Sequence, residues 1–395
     1  MAITLVQAHK VMHPPQFVNS RRPKYALDIR FAPVHHRRQK LTHSMMKIMQ
    51  GLVFTPRLTR MLSSIVLLST MGAAGLAASR AIQNRGGQNA TPTGATQERN
   101  ANQGELHLLH VQGKVSMLVG AGGNITVQAG DEGILLVDTG LAAMSDRVIE
   151  AIRPLSKKPL MYIINTDDRD DHVGGNENVG KIGRPLSRNM GVDIISFVTV
   201  MDRMSAPTGQ TAPTPEAAWP NDTYSGVQKN LHFNDETVQV FHQAGTTDGN
   251  SIVLFRSSDV ISTGDIFDPT QYPIIDLKSG GSIQAVLEGL NRLKRMVVPA
   301  NHMEGGTMVI PGHGRLCEAA DVAIYQQMVT IVRDRIQNMI KSGMTLEQVI
   351  EAKPTQDYDP VYGRTAGNWT TNMFVEAAYR SLSAKPEPRA TSRGN

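Results

Sequence analysis

The chain has one short segment with a high density of groups that can bind a cation. Residues 167–172 (DDRDDH) contain four carboxylates, one arginine and one histidine, and they begin two residues after the apolar run Leu160–Ile164. Like charges at this spacing repel one another unless a cation or a hydrogen-bonding partner offsets them. A bound metal ion would offset them, and a solvated acidic loop would also account for the composition. Both interpretations remain open from this segment alone.

Three later segments carry more candidate ligands, and each follows or ends an apolar run that predicts a strand. The segments are 241–253 (FHQAGTTDGNSIV), 262–267 (STGDIF) and 309–314 (VIPGHG). The second segment contains Asp265 and the third contains His313. Each motif by itself is weak evidence for any one protein family, whereas the four motifs in this order are specific evidence for one.

Cysteine and histidine usage limits what the ligands can be. Cys317 is the only cysteine, which excludes an intramolecular disulfide, a thiolate-rich zinc site and a redox-active cysteine pair. A metal ion would therefore be held by histidine and carboxylate. Cys317 itself follows His313 by four residues, and we interpret it as a small buried hydrophobic residue rather than a ligand.

Residues 164–176 (INTDDRDDHVGGN) resemble the signature THxHxDHxGGN of the metallo-β-lactamase superfamily. Asp171 and His172 match its Asp-His pair, and the Gly-Gly-Asn that follows also matches. The two earlier metal-binding histidines of the signature are replaced by Asp167 and Arg169. A guanidinium stays protonated and cannot ligate a metal ion. The first of the two metal sites of this family is therefore changed in this chain.

The other three segments resemble later motifs of the same superfamily. The segment around Thr246 is similar to AHTDGDSIV, with Thr246 at the third ligand position of the first site and Asn250 in place of an acidic residue. His242 lies in a predicted strand, where we expect it to be buried or paired rather than to replace a ligand. The GDxF and PGHG resemblances imply that Asp265 can bridge metal ions or organise the site and that His313 is a ligand of the second site.

The resemblance implies an α/β fold, a four-layer αββα sandwich of the metallo-β-lactamase type with additional C-terminal helices. It also implies a metal-dependent hydrolase in which Asp171, His172 and His313 hold one zinc ion, with Asp265 adjacent, and the alternative is a site that holds no ion. Three protein ligands and a water molecule are the usual open catalytic arrangement of zinc. The expected reaction is the attack of metal-bound water, oriented by Asp171, on the carbonyl of an ester, amide or lactone.

Arg169 bears on how many ions such a site can hold. Its positive charge beside the changed first site disfavours a second cation. The guanidinium could bind a carboxylate of the substrate or pair internally with Asp167 or Asp168, and we favour the internal pair.

Two other functions are compatible with the changed first site. A protein that keeps the fold for binding, without catalysis, would show the same replacements. The retention of the second-site residues favours the enzyme. A mononuclear iron oxygenase, as some relatives are, ranks last because it needs histidines at positions that this chain has changed.

Short elements in quick succession are predicted to position these residues. The predicted elements are strands at 115–120, 124–129, 133–140 and 160–164, and helices at 145–152, at 321–340, before Pro354 and at 371–382. Gly343 ends the long helix, and Thr345 with Gln348 forms a capping box for the next one. In the turn VDTG at the end of the third predicted strand, which the superfamily shares, Asp138 is expected to be structural.

The chain divides by composition into five parts. They are a basic leader or misassigned start at 1–60, a signal-peptide-like apolar segment at 61–83, a flexible linker at 84–104, the folded domain at 105–382 and a disordered polar tail at 383–395. Residues 61–79 favour an exported, cleaved protein, periplasmic or secreted, over a membrane anchor, because Ser, Gly and Ala make the stretch weakly hydrophobic. Segments 272–276, 280–283 and 369–374 are similar to an exported bacterial branch of the superfamily.

The net charge of +5 is unevenly distributed along the chain. Residues 1–60 hold eleven Lys and Arg against the single acid Asp28, and the rest of the chain holds 29 against 34, a net charge of −5. A mildly acidic domain does not offer the basic face that phosphate neutralisation requires, so nucleic acid is not an expected partner. We expect a small-molecule substrate, whose identity depends on the loops around the pocket. The oligomeric state stays open.

Overall fold

The structure, a computed structural model, describes residues 105–183, 192–206, 212–300 and 305–384. The predicted leader, the signal-peptide-like segment and the linker lie outside these ranges, as do residues 385–395 of the predicted tail. The described residues form two β-sheets with helices on their outer faces.

The first sheet has seven strands that lie side by side in sequence order. They are β1 His107–Gln112, β2 Val115–Ala121, β3 Gly123–Ala129, β4 Ile134–Val137, β5 Leu160–Ile164, β6 Asp193–Phe197 and β7 Asp222–Tyr224. The first four strands pair antiparallel, and β4 to β7 pair parallel. The carboxyl ends of β4 and β5 therefore meet at the same edge of the sheet, where ligand sites of parallel sheets commonly lie.

The second sheet has five strands in the order β12, β11, β10, β9, β8. They are β8 Gln228–Phe233, β9 Glu236–His242, β10 Ser251–Phe255, β11 Val260–Ser262 and β12 Met308–Ile310. The strands from β8 to β11 pair antiparallel, whereas β11 and β12 pair parallel, with Ile261 opposite Val309. This parallel pair places the loops after β11 and after β12 next to each other.

The helices of the described residues lie between the strands, from β4 onward, and after the last strand. They are α1 Ser145–Ile152, α2 Asp170–Val173, α3 Asn176–Gly180, α4 Val198–Ser205, α5 Ile283–Met296, α6 Ala319–Lys341, α7 Leu346–Glu351, α8 Asp359–Tyr362 and α9 Thr371–Ser383. A short 3-10 turn, Gly264–Ile266, follows β11.

Apolar clusters join these elements into layers. Between the sheets, Val137 and Ile164 of the first sheet belong to one buried cluster with Val240 and Val253 of the second. A second cluster joins the first sheet to α1, and a third joins the second sheet to α5, α6 and α9. Burial of one apolar face on each element stabilises this order of layers. The architecture is the αββα sandwich with additional C-terminal helices, so the predicted fold class is confirmed.

Several elements begin and end where the sequence predicted. Helix α1 and strand β5 coincide with their predicted ranges, and α6 covers the predicted helix with small extensions at both ends. Gly343, just beyond α6, adopts φ +79, a conformation that glycine tolerates without strain. Thr345 and Gln348 form the predicted capping box at the start of α7. These features were predictable because caps and apolar periodicity are local properties of the chain.

Among the residues that the structure describes, no helix has the length and apolar content needed to cross a membrane. The apolar stretch 61–79, which predicts export or anchoring, lies outside the described ranges. Export therefore stays a prediction.

Candidate metal centre

The candidate ligands lie on segments that leave the carboxyl ends of parallel strands. The segment after β5 leads into the short helix α2, which carries Asp171 and His172. In the second sheet, Asp265 lies in the 3-10 turn after β11, and His313 follows β12. Both sheets thus contribute to one site at the edge of the sandwich.

His172 is hydrogen-bonded at one ring nitrogen and open at the other. Asp138, which follows β4, places Oδ2 2.7 Å from His172 Nδ1. The same carboxylate accepts hydrogen bonds from the amide and the hydroxyl of Thr166, at 2.7 and 2.6 Å. With Nδ1–H donating to Asp138, Nε2 is the ring nitrogen of His172 that a metal ion can bind in place of a proton. This buried Nε2 has no hydrogen-bond partner within the described part of the chain.

The other candidate ligand atoms converge on His172 Nε2. Asp265 Oδ1 lies 3.3 Å from it, and Asp171 Oδ1 lies 4.0 Å from it. His313 Nε2 is 3.1 Å from Asp171 Oδ2 and 3.5 Å from Asp265 Oδ1. The structure therefore brings together the four residues for which the sequence predicted a metal site. Two imidazole nitrogens with carboxylate oxygens form a donor set that zinc accepts.

Two glycines make room for this arrangement. A Cβ atom at Gly312 would lie 2.2 Å from Asp265 Oδ1, so any side chain there would displace the carboxylate. Gly264 adopts φ +49, and a Cβ atom there would lie 2.5 Å from Thr166 Oγ1. The glycines of the GDxF and PGHG motifs are thus explained by close packing around Asp265 and Thr166.

The charges of the centre shift the pKa values of its members. Burial opposes protonation of His172, but the surrounding carboxylates, Asp167 foremost, raise its pKa well above the usual range. Burial also disfavours the charged form of His313, yet Asp265 and a hydrogen bond to Asp171 raise its pKa to about 9. Burial tends to raise the pKa of Asp265, but the neighbouring cations prevail and lower it. The carboxylates thus favour positive charge in the centre, which a metal ion would also supply.

The positions of the first metal site hold a different set of groups. Asp167 is fully buried and accepts hydrogen bonds from the amide of Arg169 at 2.9 Å and from Asn250 Nδ2 at 3.3 Å. Thr246 is also buried, and its hydroxyl donates to Asn250 Oδ1 at 3.1 Å. The replaced positions are therefore satisfied by hydrogen bonds among themselves and their neighbours.

Arg169 pairs internally, but its nearest partner is not one that the sequence suggested. Its Nη1 donates to Asp265 Oδ2 at 2.5 Å, and its Nε lies 3.7 Å from Asp167 Oδ2. Of the two partners that the sequence offered, Asp167 pairs with Arg169, whereas Asp168 accepts a hydrogen bond from Arg203 Nε at 2.9 Å. Asp168 therefore faces α4, which carries Arg203, while Arg169 faces the centre.

Two residues that were not expected to be metal ligands, His242 and Cys317, have other surroundings. His242 stacks on Phe197 with ring centroids 3.5 Å apart, and its Nε2 lies 2.7 Å from the carbonyl oxygen of Asp248. Cys317 is buried in the cluster between the second sheet and the C-terminal helices, and burial raises the pKa of its thiol to about 12. Both residues are accounted for without a metal ion.

Two residues near the centre have contacts that the motifs did not specify. Asp138 was expected to be structural, and the structure gives it the more specific task of orienting His172. The sequence shows that Asp138 lies at the end of an apolar run. It does not show that this run pairs with β5, which is what brings Asp138 close to His172. Arg203 contacts Asp248 at 2.6 Å as well as Asp168, and no pattern in the sequence indicated this pair.

The residues present fit one metal ion better than two. At the second site, the described chain leaves His172 Nε2 and Asp265 Oδ1 buried without hydrogen-bond partners, beside His313. At the first site, the guanidinium of Arg169 lies against Asp265 Oδ2. A protonated guanidinium offers no lone pair, so the first site does not fit an ion as it stands.

Comparison with known proteins identifies the class to which this fold and site belong. The family model of the metallo-beta-lactamase superfamily matches residues 118–313. Over this stretch, which includes all four candidate ligands, the chain belongs to the metallo-beta-lactamase superfamily, as the motifs predicted. No curated protein matches the chain in sequence.

Solved structures with a similar fold come from several bacteria. The inverting sec-alkylsulfatase Pisa1 from Pseudomonas sp. is 15% identical, with a TM-score of 0.49, over 70% of this chain and 50% of that protein. The chain therefore spans about half the length of the alkylsulfatase. A metallo-beta-lactamase from Pontibacter korlensis is 16% identical, with a TM-score of 0.45, over 57% of this chain and 99% of that protein. A metallo-beta-lactamase with a HARLDQ motif from Cronobacter sakazakii is 14% identical, with a TM-score of 0.45, over 59% of this chain and 95% of that protein.

Proposed function

We propose that this protein is a metal-dependent hydrolase that uses one zinc ion held by a set of four residues. The set is Asp171, His172, Asp265 and His313. The observation that carries the proposal is the pair of buried, unpartnered atoms within the described chain, His172 Nε2 and Asp265 Oδ1, which lie 3.3 Å apart. Leaving a buried polar atom unpaired costs about 1–3 kcal/mol, so such a pair favours an ion between its members.

Zinc in a site of this kind supplies Lewis acidity and activates water near neutral pH. His172 and His313 would hold the ion through Nε2. Asp138 keeps His172 in the tautomer that this requires, since it accepts from Nδ1. Gly312 keeps the space that Asp265 needs beside both histidines.

Asp171 is the member of the set that solvent reaches most readily, with 30% of its side chain exposed. Burial would raise its pKa, but the hydrogen bond to His313 and the charge of His172 lower it. Asp171 is therefore ionised at neutral pH and can accept a proton. We assign to it the orientation of the attacking water and the transfer of a proton to the leaving group.

The substrate class that we propose is a small ester, amide or lactone. Its hydrolysis joins the oxygen of water to the carbonyl carbon and breaks the bond to the leaving oxygen or nitrogen. The leaving atom receives the proton that the water gives up, so the carboxylate of Asp171 ends the reaction unchanged.

Elemental analysis of the purified full-length chain tests the proposal. We expect about one zinc per wild-type chain and loss of zinc in the His172→Ala, His313→Ala double variant. The control is His242→Ala, which removes a partly buried imidazole that lies outside the set. This control is expected to keep its zinc.

The same preparations are then screened against ester, lactone and lactam substrates. Turnover by wild type that is lost with the zinc supports the hydrolase. A wild-type chain without zinc at any pH between neutral and mildly alkaline contradicts it. That result would favour the alternative in which the fold serves binding and catalysis has been lost.

A further inference from the structure

Arg169 approaches the centre from the side of the changed first metal site, and its guanidinium is held by several groups. Nη1 donates to Asp265 Oδ2 at 2.5 Å, Nη2 donates to the carbonyl oxygen of Ile274 at 3.3 Å, and Nε lies 3.7 Å from Asp167 Oδ2. The side chain is 22% exposed. A guanidinium with this many fixed partners belongs to the structure of the centre and is not a mobile surface charge.

Asp265 directs its two oxygens toward different partners. Oδ2 contacts the guanidinium of Arg169, whereas Oδ1 lies 3.3 Å from His172 Nε2 and 3.5 Å from His313 Nε2. Oδ1 is the oxygen that lacks a hydrogen-bond partner among the described residues. A carboxylate in this arrangement can bridge two cations, one at each oxygen. At Oδ2 the cation is a side chain of the protein.

We infer that Arg169 is a built-in cation that takes the place of a second metal ion, so that Asp265 bridges a guanidinium and one metal ion. The part of this inference in which Asp265 binds a metal ion rests on the function proposed above. Asp167, His172 and Asp265 offer ligand atoms that lie within 4.8 Å of one another. Arg169 contacts two of these three residues and so supplies the positive charge that an ion would bring there.

Removal of Arg169 has two consequences if this inference holds. The buried carboxylate of Asp265 loses its partner, and removing one member of a buried ion pair is strongly destabilising. The group formed by Asp167, His172 and Asp265 also becomes open to a second divalent ion. This ion would bind more weakly than the first, because the first ion occupies His172 Nε2 and only the carboxylates of Asp167 and Asp265 remain.

The test compares the full-length wild type with Arg169→Ala, Arg169→Lys and the matched control Arg203→Ala. Arg203 is 24% exposed and contacts two carboxylates, Asp168 at 2.7 Å and Asp248 at 2.6 Å, which are outside the ligand set. Zinc stoichiometry is measured by titration calorimetry and elemental analysis. The melting temperature of each protein is measured without metal and with added zinc.

We expect metal-free Arg169→Ala to melt about 5–10 °C below metal-free wild type, and zinc to restore most of this loss. Its zinc stoichiometry should rise from about one to about two per chain. Arg169→Lys keeps the positive charge and should bind one zinc, which gives a readout even if the alanine variant does not fold. Arg203→Ala should also bind one zinc, and the stability that it loses should not be restored selectively by zinc.

Two results would overturn the inference. One is a single zinc in Arg169→Ala without restored stability, and the other is two zinc ions in Arg169→Lys. A wild type that binds no zinc contradicts the proposed function and is a separate outcome. In that case the bridging of a metal ion by Asp265 is excluded with it, and the substitution of Arg169 for a metal ion survives if Arg169→Ala alone gains zinc and fails if neither protein binds it.

Discussion

Single residues around the centre act on ligands without being ligands, and Asp138 is the best example. Its carboxylate accepts from Thr166 twice and from His172 Nδ1. Its backbone has φ +64, a left-handed conformation in which Asp and Asn are the most common residues after glycine. The position therefore requires a short side chain that accepts several hydrogen bonds and tolerates this backbone.

Asp138→Asn tests this role. Asparagine keeps the shape and the backbone preference but replaces one carboxylate oxygen with a donor, so His172 is no longer held in a single tautomer. We expect the zinc affinity to fall about 10–100-fold, with little change in the fold, as measured by calorimetric titration and circular dichroism. The exposed Asp146→Asn serves as control. Equal affinities of both variants would show that Asp138 does not orient the ligand.

At the scale of elements, the C-terminal helices are tied to the segment that follows Asp265. The ring of Tyr272 stacks on that of Phe374 in α9, with centroids 4.7 Å apart. The hydroxyl of Tyr272 donates to Asp359 Oδ1 in α8 at 2.9 Å. These helices thus complete the core beneath the centre and are part of the same folded unit.

Phe374→Ala should therefore destabilise the whole domain. Phe374 is fully buried, and removal of its ring leaves a cavity against Tyr272. We expect a loss of about 3–5 kcal/mol in the free energy of unfolding, measured by denaturant titration. The adjacent Met373 is 41% exposed, and Met373→Ala should change this free energy by no more than about 0.5 kcal/mol. Similar values for the two variants would mean that α9 packs differently.

At the scale of the whole molecule, the signal-peptide-like segment that follows the basic N-terminal part predicts export. We propose that residues 61–83 direct the chain out of the cytoplasm and that the chain is cleaved after this segment, because a basic stretch, an apolar run and small residues follow in order. Mass spectrometry of the exported chain should show a mature N-terminus near the end of this segment. Leu67→Arg, which interrupts the apolar run, should keep the chain inside the cell. A wild-type chain recovered intact from the cytoplasm would contradict export.

The sequence by itself was sufficient for the fold class, for many element bounds and for the choice of candidate ligands. Helix α1, strand β5 and the capping box at Thr345 follow from apolar periodicity and local hydrogen bonding, which neighbouring residues determine. The ligands Asp171, His172, Asp265 and His313 were proposed because they match ordered motifs. Such information is carried by residue type and spacing, without knowledge of the packing.

Only the tertiary structure decided which charges face each other. Arg169 meets Asp265, 96 positions further along the chain, and Asp138 meets His172 because β4 and β5 pair parallel. Asp168, the nearest candidate in sequence, turns instead to Arg203. Contacts of this kind depend on the packing of one sheet against the other and on side-chain direction at loop ends, and neither leaves a periodic pattern in the sequence.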